Sequence, residues 1–285
     1  MNHRRSLILA ASIVGFVAAA DPSAAAADAI PDKKLEAVLR ENVFEKRGTD
    51  KELTDDDLKK IFVLDAKNKG VKELTGIEKC VNLQQINMAK NEIADVTPLK
   101  GLTNLQSLDL AGNKIRDIAP LESLTGLQFL ELSNNEIANI EPLAKLVKLS
   151  ALYIAGNKIS DLKPLANLTR LSSLDLARNE IAHLTPLAKL GGLMLLKLSD
   201  NKIEDISPLP KKNQLTMLFL ERNKIADLSP LIAAAKDDSE GDKRFAPFLR
   251  LYLAGNPLSD AAKTQQIDAL KKYGVRLLVT EPKKN

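Results

Sequence analysis

The chain has 285 residues, of which 45% are hydrophobic and 27% are charged, a composition typical of folded globular proteins and not of disordered ones. Lysine and arginine outnumber aspartate and glutamate by only 41 to 37, so no basic surface of the kind that binds nucleic acid is predicted. With two His, one Cys and no Trp, a His/Cys metal cage and a His-based catalytic triad are disfavoured, and the core has to be aliphatic.

Residues 1–29 have the pattern of an export signal. Arg4 and Arg5 precede an apolar run from Ser6 to Ala20, and small residues follow, which allow cleavage after Ala20 or Ala27. The run is shorter than the roughly 20 residues that a membrane-spanning helix needs. We therefore predict an exported protein, periplasmic or extracellular, with no stable membrane insertion after cleavage. An uncleaved anchor and a twin-arginine export route stay open.

Residues 30–60 are predicted to form a helical N-terminal cap. Two helical stretches are expected, at 32–43 and 53–60. The second opens with a capping pattern in which Thr54 is followed three residues later by Asp57. Since an open-ended stack of repeats exposes its core at both ends, a cap of this kind shields the first repeat.

Residues 61–258 are governed by a repeat in which asparagine recurs at every twenty-second position. Proline recurs at the same spacing, so seven units stand in one register. Such self-similarity is the signature of a solenoid, in which each unit buries its apolar face only against its neighbours. The repeated positions are Asn91, Asn113, Asn135, Asn157, Asn179, Asn201 and Asn223, with Pro98, Pro120, Pro142, Pro164, Pro186, Pro208 and Pro230.

Residues 102–121 illustrate the physics of one unit. Leu108 and Leu110 alternate with polar residues, which predicts a short strand whose leucines point inward. The residue before Pro120 is restricted to extended backbone, which fits a tight return turn. The asparagine amide both donates and accepts, so we expect it to pair with main-chain groups inside the stack. Stacked units then make a parallel sheet and a continuous aliphatic core.

The pattern is less regular at both ends. Residues 61–74 hold a degenerate unit in which Lys69 replaces the asparagine, and the step from Asn223 to Asn256 is half a unit longer than the others. The extra residues near 232–242 are predicted to be a charged, solvated loop. Residues 259–285 are predicted to form a C-terminal cap, with an amphipathic helix at 259–273 that ends at Gly274 and a last strand at 275–279.

The repeating segment Asn-x-Ile-x-Asp-Ile/Leu-x-Pro-Leu resembles the 22-residue leucine-rich repeats of bacterial internalins, and residues 30–39 and 53–58 resemble the helical cap of that family. The resemblance implies an α/β fold: a right-handed solenoid with a parallel concave sheet that recognises proteins. Internalins usually continue into an immunoglobulin-like module and a surface anchor. This sequence has neither after the repeats, so wall attachment and host-receptor binding are not implied.

Alternation places the residues on either side of each inward leucine on the exposed face of the sheet. Aromatic and apolar side chains there are expected at recognition sites, although they also serve as ordinary strand formers. The predicted partner-binding residues are Phe129, Glu131, Tyr153, Asp175, Leu195, Lys197, Met217, Phe219 and Tyr252.

Three other features are candidates for a site. Asp109, Glu131 and Asp175 form an acidic ladder on the same face, which suits either a basic partner or plain solvation. His183 occupies a position held by aspartate in other units, so a turn residue is expected and not a catalytic one. Cys80 occupies a leucine position and is predicted to be buried. No metal site and no cofactor is predicted.

The sequence therefore predicts an exported, non-enzymatic binding module, monomeric, that recognises a protein or peptide partner on the sheet face. The alternative is a structural or scaffolding component of the cell envelope. Because one solenoid fold serves many recognition tasks, the identity of the partner and any part played by residues 232–242 stay open.

Overall fold

The computed structural model describes residues 30–209, 214–241 and 243–278. The predicted signal peptide at residues 1–29 lies outside the described residues and stays a prediction. Within those described ranges, no helix combines the length and the apolar character needed to cross a membrane.

Ten strands of three residues each form one parallel sheet across the described ranges, and each strand pairs with its neighbours in sequence. The register follows the repeat: Leu108 lies beside Ile86 on one side and Leu130 on the other. This confirms the predicted parallel solenoid. The strands are β1 (Val63–Asp65), β2 (Gln85–Asn87), β3 (Ser107–Asp109), β4 (Phe129–Glu131), β5 (Ala151–Tyr153), β6 (Ser173–Asp175), β7 (Leu195–Lys197), β8 (Met217–Phe219), β9 (Arg250–Tyr252) and β10 (Arg276–Leu278).

The core is aliphatic and continuous from one end of the stack to the other. In the unit at residues 102–121, Leu105, Leu108 and Leu110 are fully buried, and Ile118 is almost so. Equivalent side chains of successive units stack in columns, because each unit repeats the same backbone path. Phe245 is an aromatic member of this core near the C-terminal end.

The predicted asparagine ladder is confirmed. In each unit the side-chain oxygen accepts a main-chain N–H of the preceding unit, as Asn113 Oδ1 does from Ile93 N at 3.0 Å. Its amide nitrogen donates to two carbonyls, here Met88 O at 3.0 Å and Leu110 O at 2.9 Å. The side chains of the repeated asparagines from Asn91 to Asn223 are buried. Buried polar groups of the turn are thereby paired instead of orphaned.

The return leg of most regular units is a short 3₁₀ turn with the proline at its start, where the missing N–H is not needed. The aspartate two residues before the turn accepts a main-chain N–H, as Asp117 Oδ1 does from Ala119 N at 2.8 Å. Proline opens the turns Thr97–Leu99, Ala119–Ser123, Glu141–Lys145, Lys163–Leu165, Thr185–Lys189 and, before β9, Ala246–Phe248.

Two helices lie at the N-terminal end: α1 (Lys33–Asn42) and α2 (Asp55–Leu58). Helix α1 packs against β1 and buries Leu35 and Leu39. Asp32 joins the helix to the first unit, because one carboxylate oxygen accepts from the N–H groups of residues 34 and 35 at the helix start and the other from those of residues 72 and 73. The predicted capping box at residues 54–57 is present.

The prediction of a solvated loop near 232–242 is wrong. Helix α3 (Ser229–Glu240) runs through this segment and buries Leu231, Ala234 and Ala235. Pro230 stands in its first turn, where proline is favoured. The apolar positions of 231–235 recur at helical spacing, and this outweighs the charges that follow.

The C-terminal end contains a π-helical turn at Ala262–Gln266, helix α4 (Ile267–Lys272) and strand β10. Ile267 and Leu270 form the buried side of α4, as expected for an amphipathic helix. The predicted strand at 275–279 is observed as Arg276–Leu278, and residue 279 lies outside the described residues. Gly274 joins helix and strand with a φ of 91°, a conformation that glycine adopts without strain.

Candidate functional site

Each strand contributes one inward residue and two residues to a solvent-facing surface, which we call the exposed sheet face: the first and third residues of β1 to β10. The pattern follows from the pleat of a three-residue strand, in which only the middle side chain points to the core. All nine predicted partner-binding residues lie on this face, and all nine side chains are half-buried.

Six of these nine residues form an unbroken row of register partners from β4 to β9. Because neighbouring strands lie about 4.8 Å apart, adjacent side chains of the row are in contact distance of one another. The structure therefore places residues of six different units side by side. Along the sheet, the third residues of successive strands are Glu131, Tyr153, Asp175, Lys197, Phe219 and Tyr252.

Two aromatic pairs include residues of this row. The rings of Phe129 and Tyr153 are 5.7 Å apart and tilted by 59°, and those of Phe219 and Tyr252 are 4.2 Å apart and nearly parallel at 10°. Aromatic side chains held in this way present large apolar area with little freedom left to lose on binding. Leucine and methionine at the first positions of β7 and β8 are register partners beside the second pair.

Lys197 connects the acidic and aromatic parts of the row. Its Nζ is 3.0 Å from Asp175 Oδ2 and 5.9 Å from the ring centroid of Phe219. A cation between a carboxylate and an aromatic face is attracted by both. The sequence indicates these residues singly, and their contacts arise only when the units stack.

The acidic ladder has a structural role that its sequence pattern did not reveal. Each carboxylate of Asp109, Glu131 and Asp175 accepts the main-chain N–H of the residue two positions further along, at 2.8–3.1 Å. Burial raises the pKa of Glu131, and the charges of Asp109 and Asp175 raise it further. These carboxylates therefore fix the end of each strand as well as charging the face.

Ionised residues on the exposed sheet face are segregated by sign. The half from β1 to β6 is acidic and the half from β7 to β10 is basic, which gives the face a polarity along the stack. The acidic residues are Asp65, Asp109, Glu131 and Asp175, and the basic residues are Lys197, Arg250 and Arg276.

Two residues of the basic half were not among the predicted site residues. Arg250 stands on the face by its register, beside aromatic residues that are the stronger sequence signal for recognition. Arg276 falls in the predicted C-terminal cap, and its strand continues the same face. The step from Arg250 to Arg276 departs from the repeat period, so the periodic pattern did not predict their pairing.

Cys80 and His183 lie where the repeat register predicts them. Cys80 is fully buried, and burial raises the pKa of its thiol to about 12. His183 is exposed in its turn position. Across the described part of the chain, no cluster of three or more His, Cys, Asp or Glu residues is arranged to hold a metal ion.

A family model of leucine-rich repeats matches residues 103–145 and 147–189. The structure is similar to internalin C2 from Listeria monocytogenes, with 28% sequence identity, a TM-score of 0.61, and coverage of 88% of this chain and 94% of that one. No significant match is found among curated protein sequences. The family match and the structural similarity therefore show a leucine-rich repeat solenoid like that of the internalins, which confirms the resemblance seen in the sequence.

Two more distant structures share the fold. A leucine-rich repeat protein from Leptospira interrogans is 23% identical, with a TM-score of 0.61, over 73% of this chain and 51% of that one. The ectodomain of a plant membrane receptor kinase from Arabidopsis thaliana, in complex with Casparian strip integrity factor 2, is 20% identical, with a TM-score of 0.57, over 74% of this chain and 25% of that one.

Proposed function

We propose that this protein is an exported, non-enzymatic binding module that recognises a protein or peptide partner on the exposed sheet face. The observation that carries the proposal is the part of the exposed sheet face from β4 to β9, where two aromatic pairs flank an ion pair on one solvent-facing surface. Interface hot spots are enriched in such aromatic anchors surrounded by polar groups.

The surrounding fold supports this assignment. The middle residues of these strands, such as Leu130 and Leu152, are fully buried and fix the strands to the core. A rigid scaffold keeps the aromatic side chains in place before binding, which lowers the entropy lost in the complex. In the Arabidopsis receptor, a solenoid of related architecture is in complex with a second molecule. Export is proposed from the pattern of residues 1–29.

The absence of catalysis is part of the proposal and rests on the chemistry of the candidate groups. The thiol of Cys80 is buried with its pKa raised to about 12, so it is not ionised at neutral pH. His183 stands in an exposed turn. The carboxylates of Asp109, Glu131 and Asp175 are engaged with main-chain N–H groups of their own turns.

The test compares two triple variants of the full chain in peptide-library selection and in affinity capture from the native envelope. Tyr153→Ala, Phe219→Ala and Tyr252→Ala together remove the aromatic anchors. We expect ligands selected on the unaltered protein to bind this variant at least about ten-fold more weakly, because their apolar contacts are lost.

The matched control replaces three apolar residues that are exposed away from this face, Phe44, Val81 and Val147, by alanine. It is expected to bind like the unaltered protein. Circular dichroism melting shows whether each variant is folded. Equal ligand affinity of the aromatic variant and the control would refute recognition by the exposed sheet face, and so would a failure of both methods to yield any ligand.

A further inference from the structure

Two arginines stand directly opposite each other at the C-terminal end of the sheet. Arg250 is the first residue of β9 and Arg276 the first residue of β10, and they are register partners. Both side chains are exposed. Like charges placed across neighbouring strands repel one another and destabilise the pairing. An anion bound between the two guanidinium groups would offset this repulsion.

The described part of the chain does not supply that anion. Neither guanidinium group forms a hydrogen bond or an ion pair with any residue in the described ranges. Other cations near the sheet are paired across units, as Lys197 is with Asp175 at 3.0 Å and Arg222 with Asp200 at 2.5 Å. Among the residues that the structure describes, the two arginines of β9 and β10 are thus adjacent positive charges without a partner carboxylate.

A pocket of about 380 Å³ opens beside the two arginines. Its lining also includes Thr216 and Met217, at the start of β8, and Pro247 and Phe248, from the turn before β9. Phe248 is 60% exposed although it is a large apolar side chain. The pocket therefore combines two cationic groups with an apolar wall, a combination suited to an anionic group next to an apolar one.

The wall of this pocket is held in place. Phe248 belongs to a short turn between Phe245 and Leu249, both of which are buried. The carboxylate of Asp238 in the last part of α3 accepts the N–H groups of residues 244, 245 and 246 at 2.9–3.2 Å. Gly274 passes so close to the turn that a Cβ atom would lie 3.1 Å from the Cα of residue 247. The pocket is accordingly formed before any ligand arrives.

We propose that this pocket, which we call the arginine pocket (Thr216, Met217, Pro247, Phe248, Arg250 and Arg276), binds an acidic side chain of the partner peptide with an adjacent apolar residue against Phe248. The inference rests on the proposed function and adds to it the chemistry of the partner. Planar guanidinium groups bind carboxylates through paired hydrogen bonds. The acidic half of the exposed sheet face repels the same peptide, so the acidic residue is directed to the β9–β10 end.

The experiment uses two capped pentapeptides, acetyl-Gly-Leu-Glu-Phe-Gly-amide and its counterpart with Gln in place of Glu, and follows the arginine Nε–Hε signals of the full chain by NMR. We expect the Glu peptide to shift two of these signals saturably, and the Gln peptide to bind at least about ten-fold more weakly. The variant Arg250→Gln/Arg276→Gln is expected to lose the response.

The matched control is Lys148→Gln/Arg170→Gln, which removes two positive charges from exposed positions outside the strands and should bind like the unaltered protein. Inorganic phosphate is titrated separately. If phosphate shifts the same signals as strongly as the Glu peptide does, an adventitious ion only is indicated and the proposal is overturned. Equal binding of the Glu and Gln peptides overturns it too.

Failure of this inference is distinguishable from failure of the proposed function. Ligands selected on the unaltered protein are applied to both the arginine variant and the aromatic triple variant. If they bind the arginine variant fully but lose affinity for the aromatic variant, the arginine pocket is refuted and the exposed sheet face stands. If the arginine variant alone loses affinity, the pocket is supported and the aromatic row is refuted.

Discussion

The asparagine ladder predicts that replacing one asparagine by alanine lowers the unfolding free energy by an amount that depends on its position in the stack. Asn157 accepts from Ile137 N at 3.0 Å and donates to Leu132 O and Ile154 O, both at 3.1 Å. Alanine removes these bonds. However, each of the two carbonyls keeps the donor of a neighbouring asparagine, at position 135 for Leu132 and at position 179 for Ile154.

Only the N–H of Ile137, a fully buried residue, is left unpaired in Asn157→Ala. Orphaning one buried donor costs about 1–3 kcal/mol, and we expect a loss of unfolding free energy within that range.

Asn91 differs because it stands at the first rung, after the unit in which Lys69 replaces the asparagine. Its oxygen accepts from both Lys69 N and Val71 N, and its nitrogen donates to Ala66 O at 2.9 Å. None of the described asparagines before Asn91 donates to Ala66 O. Asn91→Ala therefore leaves two buried groups unpaired, the N–H of Val71 and the carbonyl of Ala66. We expect its destabilisation to be about twice that of Asn157→Ala.

The measurement is urea unfolding followed by far-ultraviolet circular dichroism, with Asn104→Ala as the control. Asn104 makes a single exposed bond to Val81 O at 3.0 Å, so its loss should change the unfolding free energy by less than about 0.5 kcal/mol. A cost for Asn157→Ala no larger than that of the control would refute the buried-ladder reasoning. A cost for Asn91→Ala no larger than for Asn157→Ala would refute the sharing of carbonyls between rungs.

Three further predictions concern ionisable groups. Burial and two neighbouring carboxylates raise the native pKa of Glu131, so its ionisation opposes folding above the ordinary pKa of 4.5. Glu131→Gln should therefore raise the unfolding free energy at pH 7, by well under about 1 kcal/mol because solvent screens the half-buried side chain, and thermal melts across pH should show the gain vanishing below pH 4.5. The native pKa of Asp57 shifts in the opposite direction: burial alone would raise it, but bonds from Thr54, Lys46 and Lys60 lower it overall. Asp57→Asn should therefore cost about 0.5–2 kcal/mol of unfolding free energy at neutral pH and progressively less as acid protonates the carboxylate. An equal cost at pH 2 would contradict this. The buried thiol of Cys80 should resist iodoacetamide at pH 8 in the native protein and react with it after unfolding in urea, and mass spectrometry would detect the difference. Rapid alkylation of the native protein would contradict the burial of this thiol.

Much of the fold could be predicted because the repeat applies one set of constraints again and again. Each repeated residue type has one favourable environment inside a stack: leucine in the core, asparagine bonded to the main chain, and proline at the start of the return turn. The asparagine is buried in every unit from Asn91 to Asn223. The placement of aromatic residues such as Tyr153 and Phe219 on the solvent side followed from the same period, since a strand with an inward leucine must turn its neighbours outward.

Where the repeat period is broken, a prediction depends on the local residue pattern alone. At residues 232–242 that pattern predicted the wrong secondary structure. The charges of residues 236–243 suggested a loop, yet Leu231, Ala234 and Ala235 form the buried side of α3. Burial against the neighbouring unit decides between loop and helix in such a segment, and a single sequence does not contain that neighbour's surface.

The sequence by itself determined the repeat, the inward columns and the set of side chains left on the exposed sheet face. The tertiary structure decided which of those side chains touch. The stacking of Phe219 on Tyr252, the ion pair on β6 and β7, and the opposition of the arginines on β9 and β10 all join residues of different units. Contacts across units depend on the register and spacing of strands, and the steps from β8 to β9 and from β9 to β10 do not follow from the repeat period.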